Sequence, residues 1–171
     1  MDTLRRPAGI IIVLLTAGLG LWADLYSKAL SVQRLSAPAS PYDFIPGYLQ
    51  FTFVENHGAV FGFGQGGRWI FVAVSIAAIA FVAYLFAKSP RRWWYDVALG
   101  MLLAGILGNL YDRVFIGYVR DMIHALPRWP GVFPWVFNIA DSLLCVSIGV
   151  LLVTGLFTPE EKADDRHADG T

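Results

Sequence analysis

Residues 69–87 read WIFVAVSIAAIAFVAYLFA, a run without a single charged side chain. Crossing the roughly 30 Å hydrocarbon core of a bilayer takes about 20 such residues in a helix. Outward from this run, three more stretches are predominantly apolar. Residues 7–23 are apolar up to Asp24. Residues 95–111 follow Trp93 and Trp94 and close on Asp112 and Arg113, and residues 136–157 carry only Asp141. The expectation is an all-α membrane protein with four transmembrane helices, joined on the outer side by a small β-structured region and a loop. Composition agrees, since 56% of the 171 residues are hydrophobic and 15% are charged, against about a quarter charged in soluble domains.

Arg5 and Arg6 before an apolar stretch also describe a signal peptide, with Ala37-Pro38-Ala39 as a cleavage site. That site lies too far beyond the apolar run, with Asp24, Lys28 and Arg34 between, so an uncleaved anchor is expected. Arg5 and Arg6, then Lys88, Arg91 and Arg92, then Lys162 and Arg166 set both termini in the cytoplasm by the density of basic residues in short segments. Trp22, Trp69, Trp129 and Trp135 would form an outer aromatic belt. Residues 1–158 are expected to form one membrane domain, and 159–171 a charged, disordered tail.

Two outer features stand out. Residues 48–54 (YLQFTFV) read as strand. After them Gly58, Gly62, Gly64, Gly66 and Gly67 are interleaved with Phe61 and Phe63, which suits a lid over an amphiphilic ligand or a small sheet lying on the interface.

Ionisable groups at membrane depth are costly and point to function. Here they gather at one end of the spans. Asp24 and Lys28 are i, i+4, while Asn109, Asp112 and Arg113 share a helix face at i, i+3, i+4. Asn138 and Asp141 are i, i+3, Asp121 falls in a short connection, and Glu55 and Asn56 sit at the strand-to-glycine junction. Each has a plainer reading. Asp24 with Lys28 can be a snorkelling pair, Asp112 with Arg113 a helix cap, the asparagines interhelical glue, and Asp121 a loop acid. Asp141, inside a span, needs a partner or a proton.

A formal net charge of +0 removes the electrostatic case for nucleic acid. A single cysteine, Cys145, excludes an internal disulfide framework. His57, His124 and His167 lack metal-ligand spacing, no HExxH or GxSxG occurs, and no metal or cofactor is expected. A pair of carboxylates remains: brought close together they share a proton, one activating water while the other supports the carbonyl.

Four ordered blocks carry a resemblance: DLYSK (24–28), NHGAVF (56–61), GNLYDR (108–113) with GYVRD (117–121), and FNIAD (137–141). They resemble signal peptidase II, the lipoprotein signal peptidase of bacterial membranes. The resemblance implies an aspartic endopeptidase of the bacterial cytoplasmic (inner) membrane with Asp121 and Asp141 as its catalytic dyad. It implies that Asn56, Gly58, Asn109, Asp112, Arg113 and Asn138 shape the site, while Asp24 and Lys28 support the outer end of the first span. It also implies a prolipoprotein substrate cut before a diacylglyceryl-modified cysteine, membrane lipids as surroundings, an extracytoplasmic β-cradle with a lid, and inhibition by globomycin-type cyclic peptides. Met122, where the family usually has an aromatic, His57, and the stretch HALPRWPG (124–131) depart from the pattern and bear on substrate preference. Two other readings compete: a four-helix transporter or proton relay using Asp121 and Asp141, and an inactive assembly subunit. The first requires polar groups spread through the membrane depth, whereas the first two spans offer only Thr16 and Ser75 there.

Overall fold

The first helix among the described residues is α1 (Pro7–Leu35). The computed structural model describes residues 7–36, 41–58, 67–88, 92–133 and 135–157. The glycine-rich residues 59–66, the tail 159–171 and the basic residues Arg5, Arg6, Arg91, Lys162 and Arg166 lie outside them.

The elements after α1 are β1 (Tyr42–Ile45), β2 (Leu49–Asn56), α2 (Arg68–Lys88) and α3 (Trp93–Tyr111). A π-helical turn, Asp112–Ile116, extends α3, and β3 (Val119–Ala125), β4 (Val136–Phe137) and α4 (Ile139–Phe157) complete the order. Among the described residues, three helical stretches are long and apolar enough to cross a membrane: α1, α2 and Trp93–Ile116; α4 contributes a shorter apolar helix, Ile139–Thr154.

α1 continues well past Asp24, where the apolar stretch stops. Its charges do not end it because Asp24 and Lys28 are buried and paired with each other. At 1.5 Å per residue it is about 43 Å long. The apolar run from residue 136 divides instead: Val136 and Phe137 pair with β3, and the helix starts at Ile139.

α3 is the central helix. Val13, Val82, Leu99, Leu102 and Ile106 form the apolar core around it, and small residues let its neighbours approach. A Cβ on Gly105 would lie 2.6 Å from the Ala140 carbonyl oxygen of α4, the close backbone approach that small residues permit between membrane helices. α2 buries little beyond Val72 and Val82, and presents Trp69, Ile70, Val74, Ile76 and Phe81 outward, as a helix facing lipid does.

The four strands form one antiparallel sheet in the order β1-β2-β3-β4. The expected strand at 48–54 is β2. Asp121, expected in a short connection, lies instead within β3, opposite Val54 of β2. Strand β3 was hard to foresee because both its faces are buried: Val119, Arg120, Asp121 and Met122 are each at most 8% exposed. It therefore lacks the apolar-polar alternation of a half-exposed strand.

Candidate active site

The N-terminus of α4 organises the site. Asn138 caps the helix: its Oδ1 accepts the Asp141 N–H at 2.9 Å, and Asp141 Oδ2 accepts the Asn138 N–H at 3.3 Å. This reciprocal box satisfies helix donors that would otherwise be orphaned. Asp24 Oδ1 takes a further one, the Ala140 N–H, at 2.8 Å.

From this cap the amides spread to both candidate aspartates. Asn109 Nδ2 donates to Asp141 Oδ1 at 2.8 Å. Asn138 Nδ2 donates to Asp121 Oδ1 at 2.6 Å and to Asn109 Oδ1 at 3.2 Å. Asn56 Nδ2 donates to Asp121 Oδ2 at 2.9 Å, and Asn56 Oδ1 accepts the Gly58 N–H at 2.9 Å. Every oxygen of the two carboxylates thus accepts a hydrogen bond, and Asn138 touches both residues. Asp121 is 2% exposed. Burial, and then the negative charge of Asp141, raise its pKa to about 7 against the opposing pull of the two asparagine amides.

Below this layer lies a chain of ions. Lys28 is fully buried, with Nζ 2.7 Å from Asp24 Oδ2 and 3.4 Å from Asp112 Oδ2, and it donates to Asn109 Oδ1 at 3.0 Å. Asp112 also accepts from Arg120: the backbone N–H at 3.0 Å and the guanidinium Nη2 at 2.7 Å. Arg113 does not pair with its neighbour Asp112. It donates to the Gly58 carbonyl at 3.0 Å and lies 5.1 Å from the centre of the Phe71 ring.

All ten expected site residues therefore meet in one network. Glu55 does not join it: it faces His57 at 3.6 Å, both about half exposed. Arg120 was missed, although reading 119–125 as a strand would have set it on the opposite face from Asp121. Ser142 donates to the Asn138 carbonyl at 3.1 Å, with no base arranged to activate it. Among the described residues, no group of three or more His, Cys, Asp or Glu is arranged to hold a metal ion.

Asp121 and Asp141 open onto a cavity of about 270 Å³, also lined by Asn56, Phe133, Phe137 and Cys145. On the other flank of α4 an apolar groove of about 490 Å³ runs between α2 and α3 and ends at Asn109 and Arg113. Apolar surface thus flanks the carboxylate layer on both sides.

Apolar helices thus bracket a buried, amide-held pair of carboxylates. The sequence pattern described as signal peptidase (SPase) II matches residues 16–157. A lipoprotein signal peptidase of Enterococcus faecalis is 34% identical over 95% of this chain and 97% of its own length. One from Desulfitobacterium hafniense is 37% identical over 84% and 91%. Among solved structures, a bacterial membrane enzyme determined by the in meso method at 2.3 Å resolution has a TM-score of 0.78 at 28% identity, covering 89% of this chain and 92% of that one. The chain belongs to the signal peptidase II family and is a membrane peptidase.

Proposed function

We propose that this peptidase removes signal peptides from prolipoproteins, cutting before a diacylglyceryl-modified cysteine, with Asp121 and Asp141 as an aspartic dyad. The observation that carries this reading is that two carboxylates on different elements accept from one residue, Asn138 (its side-chain amide to Asp121, its backbone N–H to Asp141), and open onto one cavity. Burial and the neighbouring negative charge of Asp141 raise the pKa of Asp121 to about 7, so a proton is available to the pair near neutral pH, and we assign it to Asp121. Asp141, on the first turn of α4, holds the negative charge where the helix dipole favours it.

Asp141 takes a proton from water as the water oxygen bonds to the scissile carbonyl carbon, and Asp121 gives its proton to the carbonyl oxygen. Asp141 then passes its proton to the amide nitrogen. The C–N bond breaks as Asp121 recovers a proton from the diol. Asn56, Asn109 and Asn138 hold the carboxylates; Asp24, Lys28, Asp112 and Arg120 hold the asparagines and the cap of α4. Globomycin-type cyclic peptides compete with the precursor for the cavity.

In this reading residues 1–158 act as one domain in the cytoplasmic membrane, with both termini inside and the dyad near the outer face. α4 is the fourth span: its 19 residues reach about 28 Å, close to the hydrocarbon thickness. Lys88 and Arg92, between α2 and α3, lie at the ends of those helices remote from the dyad, where basic residues face the cytoplasm.

The test uses purified protein in lipid nanodiscs and two precursors that differ only in the diacylglyceryl group on the cysteine, with products weighed by mass spectrometry. Cleavage before the modified cysteine, confined to the lipidated precursor, is expected. Equal turnover of both precursors, or a cut elsewhere, contradicts the reading.

A further inference from the structure

The π-helical turn that ends α3 is held from outside. Its closing bond is the Gly117 N–H to the Asp112 carbonyl, at 2.9 Å. The last carbonyls of a helix have no acceptor role left within it. Two of them, on Arg113 and Val114, instead accept from one side chain of another helix: Arg68 Nε at 2.6 Å and Arg68 Nη2 at 2.9 Å. Such charge-assisted, two-pronged bonds are strong and directional. They also set a cation at the negative end of α3. Gly117 makes room for them. Its φ of +103° is a left-handed value, and a Cβ there would lie 3.4 Å from Arg68 Nη1.

The same turn of α2 holds the other end of Arg113. Phe71, i+3 from Arg68 and so on the same face, lies under the Arg113 guanidinium at 5.1 Å from the ring centre. That guanidinium donates to the Gly58 carbonyl at 3.0 Å and the Asn109 carbonyl at 3.4 Å. Gly58 in turn donates to Asn56, which binds Asp121, and the Asn109 side chain binds Asp141. One face of α2 thus fixes Arg113 by its backbone and its side chain, and Arg113 braces two of the three asparagines that hold the aspartates. Short π turns inside helices recur at functional sites, and this one is stabilised by a residue that belongs to no other part of the site.

We infer that Arg68 is a positioning residue for proteolysis, acting through Arg113: its grip on the Arg113 and Val114 carbonyls sets where the Arg113 guanidinium meets Gly58 and Asn109. The inference rests on the aspartic-dyad reading above. Without Arg68 the two carbonyls turn to water and the π turn relaxes. Arg113 then drifts from its acceptors, and a displacement of about 1 Å in a catalytic site costs up to 10²-fold in rate.

Cleavage of the lipidated precursor by wild type, Arg68→Met, Arg68→Lys, Arg113→Lys and the double variant Arg68→Met/Arg113→Lys provides the test. Expected is a kcat about tenfold or more lower for Arg68→Met with KM within threefold of wild type, as for misplacement within that range. Arg68→Lys, which can reach one of the two carbonyls, recovers part of the loss. In the Arg113→Lys background, Arg68→Met changes kcat no more than twofold. Wild-type kcat in Arg68→Met, or losses that multiply in the double variant, would overturn the inference. Should Arg68→Met fail to fold, Arg68→Lys takes its place in the same cycle, with the same two outcomes. Failure of the wild type to cleave would refute the functional reading instead, so the two failures are distinguishable.

Discussion

Lys28→Met removes the only ammonium from a buried cluster and leaves its acids behind. Lys28, Asp24 and Asp112 are each fully buried, and the ammonium stands 2.7 Å and 3.4 Å from the two carboxylates. At an effective dielectric near 20 those separations correspond to attractions of about 6 and about 5 kcal/mol before desolvation is subtracted. Asp112 keeps Arg120 as a partner at 2.7 Å, so the damage concentrates on Asp24, left with only the Ala140 N–H. Removing one member of a buried pair costs about 3–5 kcal/mol, mostly because the other charge is stranded. For a chain of this size that corresponds to about 6–20 °C in Tm. Asp24→Asn in the same molecule removes the stranded charge and retains an acceptor for Ala140, so the double variant recovers about 2–4 kcal/mol of that loss, as expected when the partner charge is also removed. Unfolding of the wild type, both single variants and the double variant in one detergent, followed by tryptophan fluorescence, measures the coupling. A Lys28→Met protein within about 1 kcal/mol of wild type, well below the cost of a stranded charge, would refute the reasoning; so would a double variant that loses the sum of the two single losses.

Three further outcomes follow from the site and its packing. Catalysis needs Asp121 protonated, and its pKa is about 7, so kcat falls as pH rises above 7 and falls again at acid pH when both carboxylates are neutral; a rate still rising at pH 8.5 would reject this assignment. The same raised value means that the folded state binds the proton more tightly than the unfolded chain. The Asp121 contribution therefore favours folding least above pH 7 and most as pH falls toward 4, a change of up to about 4 kcal/mol at 1.36 kcal/mol per unit, which unfolding across pH should lose in Asp121→Asn. Gly108→Ala sets a methyl against the Asp24 carboxylate and 3.2 Å from Ala140 Cβ, whereas nothing lies within 4 Å of a Cβ on Gly18. Thermal unfolding should show the first destabilised by about 1–3 kcal/mol and the second unchanged or up to about 1 kcal/mol more stable from helix propensity.

Helix positions and most of the site were legible because membrane burial writes itself into composition. Uninterrupted apolar runs mark α2 and α3, and isolated polar residues at i, i+3 and i+4 mark the faces that meet. What stayed hidden depends on partners far apart in sequence. The buried Asp24–Lys28 pair looked like the end of a helix, because the groups that make those charges tolerable inside, Asn109, Asp112 and the Ala140 N–H, lie more than 80 positions on. β3 gave no alternation because both its faces are covered. The π turn has no local signature apart from Gly117, since the side chain that stabilises it, Arg68, comes from another helix. The pairing of Asp121 with Asp141 came from the ordered sequence blocks and not from spacing, because a strand and a helix carry them.

The central claim, that Asp121 and Asp141 form one catalytic dyad, is tested most directly by single-turnover cleavage of the lipidated precursor by Asp121→Asn and Asp141→Asn, with precursor binding measured alongside. Each variant should bind the precursor and lose about 10²–10⁴-fold in the rate of the chemical step, the range for removing a general acid or base. A folded, precursor-binding variant of either residue that keeps a tenth or more of the wild-type rate would contradict the claim.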